Sequence, residues 1–529
     1  MKVKLLIIAL LVAICCQAQR NTILIIADDL SPDYFGFYEG HGDTVDVPHI
    51  RSLLAKGIRF RNFTSNPVCS STRTSILTGR YSFRTGVGGI VGGTGGSNQI
   101  DTAEISIPKL LRIFNPSIAK ADIGKWHLKQ PTPPINLMSP QALGYDFFQG
   151  PFIGQLPSYT NWTKYTNGVA STVTNYATSE NVNDAVAWLK STNQTQPFFL
   201  WLAFNAPHEP LHLPPAGLHT YTNLPGTPAN INAQPKEYFK AMIQAMDHEV
   251  GRFFDSLQVM NKLDSTDVIF IGDNGNTART AQINDLTKAK GTVYEYGVHV
   301  PLIIAGPSVV SKGRVSNALV NSVDLFATIV ENFGFYNWQS QIPSNKPVDS
   351  KSLQPIIKNQ TDSIRPWSFC EIFKLTTDSS DGKAMKNKDY KLIRFDYGAE
   401  EFYHIATDSL ESNNLLLGNL TTQEKDQYNI LCNKMNTLVG GTNFCLSQVD
   451  VQTLLTAVPN LVYPNPFVDY IHFKNANTQN LYKLSNCLGQ TLYYGNHIEN
   501  ENFSLLPAGL YFLTIINDEL QVVKVEKVY

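Results

Sequence analysis

Three stretches of the chain are almost wholly apolar: residues 22–26 (TILII), 197–204 (PFFLWLAF) and 267–271 (DVIFI). A strand with one wet face alternates apolar and polar residues, whereas an unbroken apolar run has both faces covered. Between the second and third runs, residues 241–257 space Met242, Ala245, Met246, Val250, Phe253, Phe254 and Leu257 at helical intervals. Strands buried on both faces and separated by helices predict an α/β fold with a mostly parallel sheet between helices, assigned to residues 19–345. Each run ends in polar residues: Asp28-Asp29, Asn205-Ala206-Pro207-His208 and Asp273-Asn274-Gly275. In such sheets ligands bind beyond the carboxyl ends of the strands.

From 346 to 450 the pattern weakens. Short strands at 390–395 and 401–405 and a helix at 422–438 predict a smaller α+β subdomain. From 459 to 529, runs at 470–473, 481–484, 491–494, 510–516 and 522–528 are separated by Asn, Gly and Pro turns, which predicts a small all-β sandwich. At the other end, Lys2 and Lys4 precede an apolar run at 5–14 and then Cys15-Cys16-Gln17-Ala18, the pattern of a signal peptide over 1–18. That run falls short of the about 20 residues needed to span a bilayer, and no later segment reads as a transmembrane helix.

Of the 529 residues, 43% are hydrophobic and 16% charged, with a net charge of −2. The chain is apolar enough to fold, and it has no broad basic field for a nucleic-acid backbone. Seven cysteines are present, two of them in the leader. The five that remain are an odd number, so one thiol has another fate in an oxidising compartment. Cys432 and Cys445 enclose a short loop suited to pairing.

Five clusters carry candidate chemistry. Asp28-Asp29 is an ordinary acidic turn taken alone, and a pair of hard oxygen ligands for Ca²⁺ or Mg²⁺ in a site. Residues 67–80 (PVCSSTRTSILTGR) place Cys69 at a loop-to-helix junction, where a helix N-terminus favours anions. In Gly124-Lys125-Trp126-His127-Leu128, alternation predicts Lys125 and His127 on one face of an extended segment. The prolines of Ala206-Pro207-His208-Glu209-Pro210 stiffen the loop presenting His208. Asp273-Asn274-Gly275 is a common turn tripeptide, joined downstream by Lys290-Gly291-Thr292. Singly, each has a bland structural reading. Together, acids, histidines, lysines and an arginine recur where strands end, which suits a reaction at an anionic tetrahedral centre.

The set resembles the sulfatase family of the alkaline-phosphatase-like superfamily, over about residues 21–450. The marks are Asp28-Asp29 after a strand, Cys69 and Arg73 continuing to Leu77-Thr78-Gly79-Arg80, Gly124-Lys125-Trp126-His127, Pro207-His208, Asp273-Asn274-Gly275 and Ser322-Val323-Asp324-Leu325. The resemblance implies an alkaline-phosphatase-like fold and formylglycine formed from Cys69 by a formylglycine-generating maturation enzyme. It implies a cation, Ca²⁺ with Mg²⁺ as the other choice, on Asp28, Asp29, Asp273 and Asn274 with residue 69 beside them. Arg73 and Lys125 would steady the hydrate and the sulfate, His127 would act as base, and His208 and Lys290 would contact the sulfate and leaving oxygen, with His208 as general acid. The family's pattern has proline where this chain has Ser71.

Tyr463-Pro464-Asn465-Pro466-Phe467, the run 506–511 (LPAGLY) and the closing strand resemble the type IX secretion sorting domains of Bacteroidetes. That resemblance implies export through the periplasm and the type IX machinery to the cell surface or beyond. The expected function is hydrolysis of sulfate esters, on a sulfated carbohydrate or an arylsulfate. The alternatives are a phosphodiesterase or phosphonate monoester hydrolase on the same scaffold, and a sulfated-glycan-binding homologue with Ser71 at the motif proline. Specificity is expected from loops 86–97, 149–165 and 211–228.

Overall fold

The computed structural model describes residues 20–38, 43–193, 195–440, 462–473, 480–486, 490–516 and 520–528. The leader, Cys445 and Cys487 lie outside them. The chain divides into two compact units, Met1–Val439 and Gly440–Tyr529.

The first unit is built on a ten-stranded sheet in the order β10-β2-β9-β8-β1-β7-β3-β4-β5-β6. Its strands are β1 (Asn21–Ala27), β2 (Gly57–Thr64), β3 (Ala119–Gly124), β4 (Phe147–Gly150), β5 (Trp162–Thr166), β6 (Val169–Val173), β7 (Phe198–Ala203), β8 (Thr266–Gly272), β9 (Leu302–Ala305) and β10 (Arg314–Asn321). The central run β8-β1-β7-β3-β4 is parallel throughout, with Ile26 beside Ala203 and Ile271. β9 runs antiparallel between β2 and β8, and β4-β5-β6 form an antiparallel extension.

The unbroken apolar runs are explained by two cores, one on each face. Ile23, Ile25 and Ala27 of β1 enter one, with the helix Pro235–Val259 packed over them. Leu24 and Ile26 enter the other, with Ile76 and Leu77 of the helix Cys69–Thr78.

The same unit carries a four-stranded antiparallel sheet, β11 (Ser368–Ile372), β12 (Gly382–Lys386), β13 (Lys391–Phe395) and β14 (Glu400–Tyr403), followed by the helix Thr422–Val439. Cys69 and Cys370 are free and buried, and Cys432 is disulfide-bonded. Among the described residues no helix is long and apolar enough to cross a membrane.

The second unit is all β. An antiparallel sheet joins β17 (Leu481–Asn486), β18 (Thr491–Gly495), β19 (Gly509–Ile516) and β20 (Leu520–Lys527) in the order β18-β17-β19-β20. A separate ribbon pairs β15 (Val462–Tyr463) with β16 (His472–Phe473). They share their own apolar cluster, including Phe467, Leu484, Leu513 and Val525.

Candidate active site

All ten residues singled out in the sequence converge at the carboxyl ends of β1, β3, β7 and β8. The first of them, Asp28 and Asp29, follow β1. Asp29 adopts φ 63°, a left-handed conformation that a non-glycine residue holds only where its surroundings enforce it. Its N–H donates to Asp273 Oδ1 at 3.1 Å, and Asn274 Nδ2 donates to Asp29 Oδ1 at 2.7 Å, which joins the turns after β1 and β8.

Cys69 is the first residue of the helix Cys69–Thr78, as its loop-to-helix pattern predicts, and it is buried. Its Sγ lies 3.2 Å from His127 Nδ1. His127 Nε2 faces the Val91 carbonyl at 3.0 Å. A carbonyl only accepts, so Nε2 carries the proton and Nδ1 presents its lone pair to residue 69. Ser70 Oγ donates to the His127 carbonyl at 2.9 Å and accepts from Val91 N–H at 3.1 Å, which binds the two segments together. Ser71 Oγ turns away and donates to the Val68 carbonyl at 2.9 Å.

Lys125 and His127 reach the site, but not by strand alternation. β3 ends at Gly124, and His127 has φ 54°. The chain leaves the sheet there because Lys125 N–H still bonds Ala203 O, whereas Trp126 and His127 N–H turn to Pro151 O and Phe152 O. Lys125 Nζ then ion-pairs with Asp28 Oδ2. Arg73 is wholly buried. Its Nε and Nη2 both donate to Asp273 Oδ2, at 3.0 and 2.9 Å, and Nη1 donates to Lys125 O at 2.9 Å.

Of the ten, His208 and Lys290 are the most exposed, with side chains 12% and 11% accessible. His208 Nε2 is 3.6 Å from Asp29 Oδ2, and its Nδ1 donates to Glu209 O at 2.8 Å. Lys290 Nζ ion-pairs with Asp29 Oδ1. Tyr159 OH stands 2.7 Å from the carbonyls of both Asn205 and His208 and shares its single proton between them. Tyr159, Val91 and Ser70 support the site, and nothing in their local sequence announces it.

Charge in this buried cluster is uneven. Burial pushes Asp28 up to about 7, against the pull of Lys125. Burial also raises Asp29, but Lys290, His208 and Lys125 outweigh it and hold that carboxyl at about 2. Burial raises the Cys69 thiol and drives His127 well below the usual imidazole range, with Lys125 and Arg73 adding to the latter effect. Burial lowers His208 to about 4, opposed by Asp29.

The residues fit a hard divalent cation. Asp28 Oδ1, Asp29 Oδ2 and Asn274 Oδ1 are buried and accept no hydrogen bond. Unpartnered buried acceptors are costly, and hard carboxylate and amide oxygens are the donor set of Ca²⁺ or Mg²⁺. Ligand atoms of Asp28, Cys69 and Asp273 lie within 4.8 Å of one another, as do those of Asp28, Asp29 and His208. Asp273 differs from the other acids, since Arg73 and the Asp29 N–H occupy both of its oxygens.

The chain is 26% identical to arylsulfatase J of Mus musculus over 333 residues, 59% of this chain and 52% of that one. It is 26% identical to N-acetylgalactosamine-6-sulfatase of Homo sapiens over 374 residues, 64% of this chain and 65% of that one. It thus spans less than two thirds of the length of either relative. The fold matches a solved structure described as in complex with its substrate D-glucosamine-2-N,6-O-disulfate, with a TM-score of 0.62 at 19% identity, over 82% of this chain and 100% of that one. Residues 461–528 match the secretion system C-terminal sorting domain, which marks type IX export to the cell surface or outside. Residues 288–438 match the C-terminal region of N-sulphoglucosamine sulphohydrolase. The sulfatase model matches residues 20–335, more than half of the chain, and the protein belongs to the sulfatase family.

Proposed function

We propose that the protein is an exported sulfuric ester hydrolase acting on a sulfated carbohydrate. The observation that carries this reading is the gathering of Cys69, the acids 28, 29 and 273, Asn274 and the five cationic or imidazole side chains into one buried cluster, with His208 and Lys290 its most exposed members. The names of the human relative and of the substrate in the solved structure support an amino-sugar sulfate as substrate.

Position 69 matures to formylglycine, whose hydrate supplies the hydroxyl directed at sulfur. Asp28, Asp29, Asp273 and Asn274 would hold a divalent cation, which would supply Lewis-acid charge to the ester's oxygens. His127 takes a proton at Nδ1 from the group at position 69, since the Val91 carbonyl holds the proton on Nε2. Arg73 orients Asp273, and Lys125 compensates Asp28. Lys290 meets the anionic sulfate at the mouth. His208 gives a proton to the leaving oxygen from Nε2. For this it must carry protons on both ring nitrogens, a charge that burial opposes, lowering the group to about 4, and that Asp29 favours from 3.6 Å.

Mass spectrometry of the tryptic peptide 62–73, on protein from the native host, tests the reading together with turnover of 4-nitrophenyl sulfate and 6-sulfated N-acetylhexosamines. Loss of the thiol sulfur, with sulfate release exceeding hydrolysis of phosphate and phosphonate diesters, is expected. Faster diester hydrolysis would move the assignment to a phosphodiesterase. Ser71 favours one second reading, a glycan-binding homologue, and a wholly unmodified Cys69 without turnover would establish it.

A further inference from the structure

Lys290 stands on an irregular segment between the turn Leu286–Lys288 and the short helix Glu295–Val298. Its own N–H bonds Asn276 O at 2.9 Å, and Gly291 N–H bonds Pro67 O at 3.0 Å, two residues before Cys69. The flanks of this segment are both held by one distant residue. Lys288 Nζ donates to the backbone carbonyl of Glu411, and Glu295 N–H donates to Glu411 Oε2 at 2.6 Å.

Glu411 follows the four-stranded sheet in the chain. It is 1% exposed and adopts φ 55°. A non-glycine residue in that region is strained and persists where its surroundings over-determine it. Its other carboxylate oxygen, Oε1, pairs with Lys391 Nζ at 2.8 Å. Lys391 and Lys386 also bind Glu295, at 3.0 and 2.6 Å, so two acids and two lysines compensate one another at the base of the segment. The arrangement is a clamp: both flanks are fixed to the second sheet's region, and Lys290 projects from between them to Asp29.

We infer that Glu411 is a positioning residue for Lys290, through which the region after the four-stranded sheet sets the sulfate-facing side of the active site. The inference rests on the sulfatase reading only for the identity of the anion. A purely structural Glu411 would lower stability without acting through Lys290, and a double-mutant cycle separates the two cases.

The cycle is run on the full chain, with inorganic sulfate as the probe and calorimetry as the readout. Glu411→Ala is expected to weaken sulfate binding about tenfold, within the range for coupled neighbours. Glu411→Gln keeps an acceptor for Glu295 N–H but loses the ion pair with Lys391, and is expected to weaken sulfate binding less than Glu411→Ala does. In a Lys290→Ala background, Glu411→Ala is expected to add nothing. An equal further loss in that background overturns the inference. Should Glu411→Ala fail to fold, Lys288→Met removes one arm of the clamp and is expected to show the same dependence on Lys290; additive losses again overturn it. A wild type that binds no sulfate counts against the sulfatase reading instead. The clamp is then decided by hydrogen exchange at residues 288–291, where unchanged protection in Lys288→Met or Glu411→Ala overturns it.

Discussion

The Sγ of Cys69 and the Nδ1 of His127 stand 3.2 Å apart, and the far side of the imidazole is closed by the Val91 carbonyl and by Gly154. A Cβ on Gly154 would lie 2.3 Å from His127 Cε1 and 2.5 Å from Nε2. The ring must therefore move if that glycine gains a side chain. Gly154→Ala is expected to cut kcat about 10- to 100-fold, since a displacement near 1 Å at a reacting group costs that much. Cation-induced stabilisation should be unchanged. Wild-type kcat in Gly154→Ala would show that the ring has room to spare.

The cation prediction uses stability, so it is independent of turnover. Three buried oxygens of Asp28, Asp29 and Asn274 lack partners, and a ligand that binds only the folded state stabilises it by mass action. Titrating Ca²⁺ or Mg²⁺ into chelator-treated protein should raise Tm, with about 2.7 kcal/mol gained at a hundredfold excess over Kd. Asn274→Ala should reduce the shift, and Asp29→Asn should remove most of it. A Tm indifferent to both ions, in wild type and variants alike, would argue against the ligand set.

Much of the site was readable because strands buried on both faces leave an unmistakable apolar run, and the polar residues that end each run sit where α/β sheets bind ligands. Asp28, His208 and Asp273 could be placed at strand ends on that ground alone. Lys125 and His127 do lie beside the other candidate residues, but not by alternation, which presumes that β3 continues past Gly124, whereas the backbone turns left-handed at His127. Arg73's two hydrogen bonds to Asp273, 200 residues away, and the contacts of Glu411 with Glu295 have no local signature. The antiparallel insertion of β9 between β2 and β8 was equally invisible, since a four-residue apolar strand carries no direction in its sequence.

Glu371 gives a pH-dependent stability that can be measured. Its side chain is 1% exposed on β11, with Oε1 accepting from Phe83 N–H at 2.7 Å and Oε2 unpartnered. Burial raises it to about 7 from an ordinary 4.5. The folded state therefore holds this proton after the unfolded chain has lost it, and stability falls as pH rises from 4.5 through 7 and stays lower above. Glu371→Gln, which cannot ionise, should lose this part of the slope. Relative to wild type its Tm should rise progressively between pH 5 and pH 8. A Tm difference that does not change with pH would mean that Glu371 titrates normally.

The sorting domain should be dispensable for chemistry. Every residue assigned to the site lies between Asp28 and Lys290, in the unit Met1–Val439, whereas Phe467, Leu484, Leu513 and Val525 form a separate core in the second unit. A chain ending at residue 460 retains the helix Thr422–Val439 and the residues after it up to the boundary of the sorting domain. It is expected to keep kcat/KM within about twofold of the full chain, as independent sites do, and to remain inside the cell envelope when expressed in the native host. Export is read by fractionating cells and medium, and turnover is read on purified protein. Loss of turnover in truncated protein that still melts cooperatively would mean that the second unit contributes to the active site, and normal export without residues 461–529 would mean that the address lies elsewhere.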